Sequence, residues 1–180
     1  MKKSKIIAIL SICMAAILLV AGTLRAQDDK DIIIADSKTA KSAFIKTDES
    51  MQHLFDNAYG YAIFPSIGKG AVVVGGAEGN GAIFEQGKAI GTAKMVQVTV
   101  GAQVGGQSYR EVIFFENKQA LDRFKDNKIE FSGQVSAVAA KAGASATAKY
   151  RDGVSVFADA TGGLMAEASI GGQKFTYRQL

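Results

Sequence analysis

Ala58-Tyr59-Gly60-Tyr61-Ala62-Ile63-Phe64-Pro65 is the stretch on which the fold turns. Just before it, Met51, Leu54, Phe55 and Ala58 fall at i, i+3, i+4 and i+7, the single apolar stripe of a helix. Gly60 is a natural stop for that helix. After it the period changes: Tyr61 to Phe64 reads as a short apolar strand closed by Pro65, the only proline. Residues 71–74, 81–85, 94–100 and 111–116 are further strand candidates, separated by glycine-rich turns.

Working outward, residues 37–46 predict a short first helix, with Ala40, Ala43 and Phe44 at helical spacing. Thr47 is a suitable N-cap for the second helix, with Asp48 and Glu49 in its favourable first turn. A mid-chain helix is expected over 117–126, capped by Asn117, with Ala120, Leu121 and Phe124 as its buried face. Residues 131–177 return to strand, broken at Asp152-Gly153, Gly162-Gly163 and Gly171-Gly172, dipeptides typical of hairpins. The fold class that follows is α+β: a strongly bent, barrel-like antiparallel β-sheet with two N-terminal helices and one mid-chain helix. No linker, Pro/Ser tract or charge block divides residues 37–180, so they read as one domain.

The N-terminus reads differently. Lys2, Lys3 and Lys5 precede an apolar run from Ile6 to Val20, and a small-residue stretch leads to Leu24-Arg25-Ala26. That order is a secretory signal over residues 1–26, with cleavage near Ala26 and a secreted or periplasmic destination. An uncleaved inner-membrane anchor is the alternative, but the run falls short of the roughly 20 residues that span a bilayer. Cys13 follows Ile12, where a lipobox needs a small residue, so the chain is not read as a lipoprotein. Residues 27–36 are expected to be a flexible polar leader carrying Ile32-Ile33-Ile34.

Removing the signal also removes four basic residues, Lys2, Lys3, Lys5 and Arg25, and 21 basic residues become 17 against 17 acidic ones. The mature chain is formally neutral, which argues against nucleic acid as a partner. It has no cysteine, and a single domain of this length needs no disulfide to bury a core. Membrane binding, on this balance, has to rest on a local basic patch or on apolar contact.

The inventory of reactive side chains is short. His53 is the only histidine and has no second metal ligand at i+4. No Gly-x-Ser-x-Gly elbow occurs. Lys69 lies between Gly68 and Gly70 and leads into a β run, whereas a phosphate loop needs Ser or Thr after the lysine at the mouth of a helix. The residues point to no enzyme, no cofactor and no metal site. An outer-membrane barrel is disfavoured by strands shorter than 9–11 residues and by the lack of tryptophan for an aromatic girdle.

The segment 58–65, followed by Lys69-Gly70 and by Gly75-Gly76-x-x-Gly79-x-Gly81, resembles the SYLF domain family, lipid-binding domains of bacteria, plants and fungi related to yeast actin-patch proteins. The likeness continues through Gly101-Ala102-Gln103-Val104-Gly105-Gly106-Gln107, Val112-Ile113-Phe114-Phe115, Gln119 to Phe124 and Gly163-Leu164-Met165-Ala166. Gly60, Phe64, Pro65, Gly70, Gly75, Gly76, Gly79, Gly81 and Gly105 are its structural motif positions; Ala71 departs where many members have glycine. The resemblance implies a non-catalytic domain that binds membrane lipid, including anionic phospholipid. Some fungal members also bind actin, a partner not expected for an exported chain.

A polybasic helix ahead of the core is not obvious; Lys38, Lys41 and Lys46, interleaved with Ala40, Ala43, Phe44 and Ile45, are a thin substitute. Phe44 and Ile45, with Lys41 and Lys46, either anchor an interfacial helix or pack on the sheet. Lys69 either meets a lipid phosphate beside exposed backbone N–H groups or is a solvated turn lysine. The rival function is a structural or scaffolding envelope protein that binds itself, as a homo-oligomer, or an envelope protein through its sheet.

Overall fold

The computed structural model describes residues 27–68, 76–98, 108–129, 136–160, 168–169 and 172–180. The signal-like residues 1–26, the strand candidate 71–74, and Lys69, Gly70, Gly75 and Gly105 lie outside the described residues. The chain divides into two compact units, Met1–Ile32 and Ile33–Leu180.

Residues 27–36, expected as a flexible leader, are helical throughout. In the second unit the helix α1 (residues 33–47) shows why. Ile33, Ser37, Ala40 and Phe44 continue one stripe backwards at four- and three-residue steps, and Ile33 and Ile34 pack against the core that Ala40 and Phe44 enter. Helix α2 (Met51–Asn57) follows, and its N-cap position is Ser50, not the expected Thr47, which is still within α1. Met51 and Phe55 are its buried residues. No helix among the described residues is long and apolar enough to cross a membrane.

The strands are β1 (Gly60–Gly68), β2 (Gly76–Glu85), β3 (Lys88–Val98), β4 (Tyr109–Phe115), β5 (Ser136–Ala139), β6 (Val154–Ala160), β7 (Ala168–Ser169) and β8 (Gln173–Gln179), with α3 (Lys118–Lys125) after β4. They form one eight-stranded sheet in the order β7-β5-β6-β4-β1-β2-β3-β8. The expected antiparallel sheet needs one correction. β5 and β6 pair in parallel, because residues 140–153 form a crossover containing a 3-10 turn (Ser145–Thr147) in place of a hairpin.

Pro65 does not close β1. The strand runs on to Gly68, with register shifts between Ile63 and Ser66 against β2 and between Phe64 and Ile67 against β4. A residue without an N–H cannot hold the ladder, so the strand bulges there and resumes. Ser37 of α1, fully buried, reaches the same place. Its Oγ donates to the Ile63 carbonyl and accepts from the Ala82 N–H, both at 3.2 Å. Opposite, Gly81 lies so close to β1 that a Cβ would run into the Ile63 carbonyl.

Side chains show how far the sheet curls. β4 and β8 are four strands apart in the order, roughly 19 Å if the sheet were flat. Yet Gln173 on β8 donates to Glu111 on β4 at 2.9 Å, and Tyr109 on β4 reaches Gln97 on β3 at 3.0 Å. The sheet is therefore barrel-like but open, ending at β7 and β8. Its central strands are covered on both faces, which is why Tyr61 to Phe64 and Val112 to Phe115 are unbroken apolar runs. Tyr61, Ile63, Val112 and Phe114 meet α1 and α2 on the outside. Ala62, Phe64, Ile113 and Phe115 face an interior filled at one end by Leu121 and Phe124 of α3. Asn117 caps α3 by accepting from the Ala120 N–H at 3.0 Å.

Candidate functional site

The outer face carries a cleft of about 580 Å³ between α1, the end of α2, the start of β1 and the β2–β3 turn. Lys41 comes from α1, Phe55 and Asp56 from α2, Ala58, Tyr59 and Tyr61 from the entry to β1, Gln86 and Gly87 from the turn, and Glu116 from the residue just after β4. The turn is tight: Gln86 and Gly87 both have positive φ, 49° and 78°, and Glu85 pairs with Lys88 across it.

Lys41 is half-buried, its Nζ 4.7 Å from the centroid of the Phe55 ring and 5.3 Å from that of Tyr61. The two rings meet edge-on at 5.0 Å, and Tyr61 stacks in turn on Phe84, also at 5.0 Å. The rings hold the ammonium by their quadrupoles, worth about 0.5–2 kcal/mol according to desolvation. Lys41 has no ion pair among the described residues. Burial, then Asp56, raises the Tyr61 hydroxyl above its ordinary pKa. Tyr59 donates to Glu85 Oε1 at 2.6 Å, and that bond is the first cause of its own upward shift. Asp56 accepts from Gln52 Nε2 at 2.8 and 2.9 Å. The cleft thus combines one cation resting on aromatic faces with the carboxylates of Asp56 and Glu116 at its border.

The other residues singled out in the sequence fall into different places. Phe44 is 0% exposed and belongs to the core beneath α1, so its reading as a membrane-inserting side chain is corrected to a packing one. Its place on the same stripe as Ala40 dictates this. Ile45 is partly buried against the same core. Lys46 is exposed, as is Lys38; the two share a face of α1 at i, i+8, with Ser42 between them. Gly60, Phe64, Pro65, Gly76, Gly79 and Gly81 all lie in β1 and β2. At Gly60 and Gly79 a Cβ would press on the carbonyls of Phe84 and Ser66, at 2.7 and 2.8 Å. These positions build the sheet against which the cleft is formed.

Two features escape the sequence reading. The aromatic seat for Lys41 comes from separate segments that only the packed helices bring together. Asp48 is 1% exposed and accepts from the backbone N–H groups of Ser50, Gly143 and Ser145. Asp followed two residues later by Ser was its only local signal, that of an Asx-type turn.

Residues 96–179 match the Ysc84 family model, described as "Las17-binding protein actin regulator". The chain is also 34% identical over 150 residues to "Beta cell expansion factor A" of Aeromonas veronii, an alignment covering 81% of this chain and 57% of that protein. The chain thus spans little more than half the length of that relative. The model match takes in β4, α3 and all later strands, and the relative extends the likeness over most of the chain. This chain belongs to the SYLF (Ysc84) family.

Proposed function

We propose that this protein is exported and binds lipid surfaces without chemical turnover, through the Lys41 cleft and the exposed lysines of α1. The observation that carries the reading is Lys41 itself, a cation seated on Phe55 and Tyr61 with no carboxylate paired to it among the described residues, in a cleft bordered by Ala58, Tyr59 and Tyr61. Lipid-binding members of the SYLF family give the ligand class. The cleft narrows it. Asp56 and Glu116 oppose a multiply phosphorylated headgroup, whereas a singly charged phosphodiester can meet Lys41 and leave the carboxylates in water. Lys38 and Lys46, on the exposed side of α1, add attraction to an anionic bilayer.

The test is co-sedimentation of the protein with phosphatidylcholine vesicles and with vesicles containing phosphatidylglycerol, at low and moderate salt. Capture by the anionic vesicles is expected to fade with salt. Lys41→Gln is expected to weaken it roughly fivefold, the worth of about 1 kcal/mol per surface lysine. Equal capture of the variant and the parent removes the cleft from the reading. No capture by either vesicle removes lipid, and moves the function to a protein partner at the sheet.

A further inference from the structure

The interior end away from α3 holds an acid for which lipid binding at the outer cleft has no use. Glu111 on β4 is 0% exposed and faces Gln173 on β8, itself buried. Gln173 Nε2 donates to Glu111 Oε2 at 2.9 Å. The other two oxygens, Glu111 Oε1 and Gln173 Oε1, are buried acceptors with no partner among the described residues. Two acceptors cannot satisfy each other unless one of them carries a proton. A proton on Glu111 Oε1, donated to Gln173 Oε1, closes a two-bond ring between acid and amide and accounts for both orphan atoms at once.

We propose that Glu111 and Gln173 form a proton-dependent clasp: the neutral acid locks β4 to β8 across the interior, and loss of its proton releases this end of the curled sheet. The location gives the clasp its leverage. β4 and β8 are not neighbours in the sheet, so side chains alone tie them here.

The surroundings leave a carboxylate unsupported. Tyr109, the next interior-facing residue of β4, donates its hydroxyl to Gln97 on β3; burial and then Glu111 push its own titration far up, so it stays neutral. Phe64 stands opposite Glu111 on β1, and Ile113 follows it on β4. Arg110 points to the other face of β4 and pairs with Asp159 at 3.1 Å. Lys174, beside Gln173 on β8, is exposed on the outer side. Arg123 and Lys125 of α3 pair with Asp152 and Asp122. Burial pushes the Glu111 carboxyl up to about 7, and the bond from Gln173 offsets only part of that. For an acid whose folded pKa is raised, the stabilisation is complete below the unfolded value of 4.5 and is lost as pH rises through about 7. Across that window the opening equilibrium rises about tenfold per pH unit, roughly 300-fold in all.

Hydrogen exchange of the β8 amides in the intact protein tests the clasp at about pH 5 and about pH 8, after correction for intrinsic exchange. Their protection is expected to fall by about two orders of magnitude in the parent protein. In Glu111→Gln the new amide pairs with Gln173 through the same two bonds and does not titrate, so protection is expected to hold at both pH values. The same pH dependence in both proteins overturns the clasp. Should the variant not fold, the side-chain carbon resonance of Glu111 in the parent decides. A midpoint near 7 supports the proposal, and one among the ordinary carboxylates overturns it.

Discussion

Replacing Asp48 with asparagine tests the joint that holds the N-terminal helices to the rest of the domain. Asp48 sits between α1 and α2, and its carboxylate accepts from Ser50 N at 3.1 Å, Gly143 N at 3.1 Å and Ser145 N at 2.8 Å, with the Ser50 hydroxyl as a fourth donor. Two of these donors lie in the β5–β6 crossover, so one side chain ties segments 95 and 97 residues apart. Burial alone would raise this carboxyl, but the bonds from Ser50, Ser145 and Gly143 outweigh it and hold the group at about 2, below its usual 3.8. That depression corresponds to about 2 kcal/mol of stability. A depressed carboxylate supplies it above pH 3.8 and loses it as pH falls through about 2. In Asp48→Asn the amide turns an N–H₂ toward one set of donors and leaves a buried N–H unpaired, at a further cost of about 1–3 kcal/mol. Urea unfolding followed by circular dichroism at neutral pH is therefore expected to show a loss of about 3–5 kcal/mol with unchanged slope. From about pH 4 down to pH 2 the parent is expected to lose stability faster than the variant, and the gap between them to narrow by about 2 kcal/mol. A neutral-pH loss below about 0.5 kcal/mol, or parallel acid profiles, would refute the reasoning.

Two further substitutions test how the sheet is built. Gly81→Ala is expected to cost more than about 2 kcal/mol in the same unfolding assay, because its Cβ meets the Ile63 carbonyl, which is backbone and cannot swing aside. An ordinary midpoint for that variant would show that β1 and β2 can separate at the bulge. Asn117→Ala removes the one side-chain cap of α3 and is expected to cost about 1 kcal/mol, read as a shift of the urea midpoint.

Much of the architecture is legible in the sequence, and the exceptions share a cause. The helix over 118–125 follows from Asn117 and the spacing of Ala120, Leu121 and Phe124, which are local signals. The strands at 81–85, 94–98 and 111–115 follow from their apolar runs, although β2 and β3 begin earlier than expected, at Gly76 and Lys88. Pro65 is ambiguous by nature, since a missing N–H suits a strand end and a bulge equally; pairing with both β2 and β4 decides for the bulge. The parallel β5–β6 pair is hidden because a crossover containing Asp152-Gly153 carries the signal of a hairpin. That dipeptide does form a tight turn, closed by the Arg151–Val154 bridge, but one joining β6 to its own approach. Ile33 and Ile34 were hidden by their acidic surroundings, although they extend the stripe of Ala40 and Phe44. Lys41 was legible as a cation near apolar residues, but its seat on Phe55 and Tyr61 depends on how α1 crosses α2. Glu111 was legible by parity, since it alternates with Ile113 and Phe115, but a carboxylate at the start of a strand candidate carries no local sign of being buried.

A barrel sealed by a backbone ladder can widen only by breaking a strand's worth of hydrogen bonds or by gaining a strand. Here the curl is drawn together between β4 and β8, and between β4 and β3, by paired side chains. The width of the curl is therefore set residue by residue: one substitution at position 97, 109, 111 or 173 can change it while every strand keeps its neighbours and the topology stays as it is.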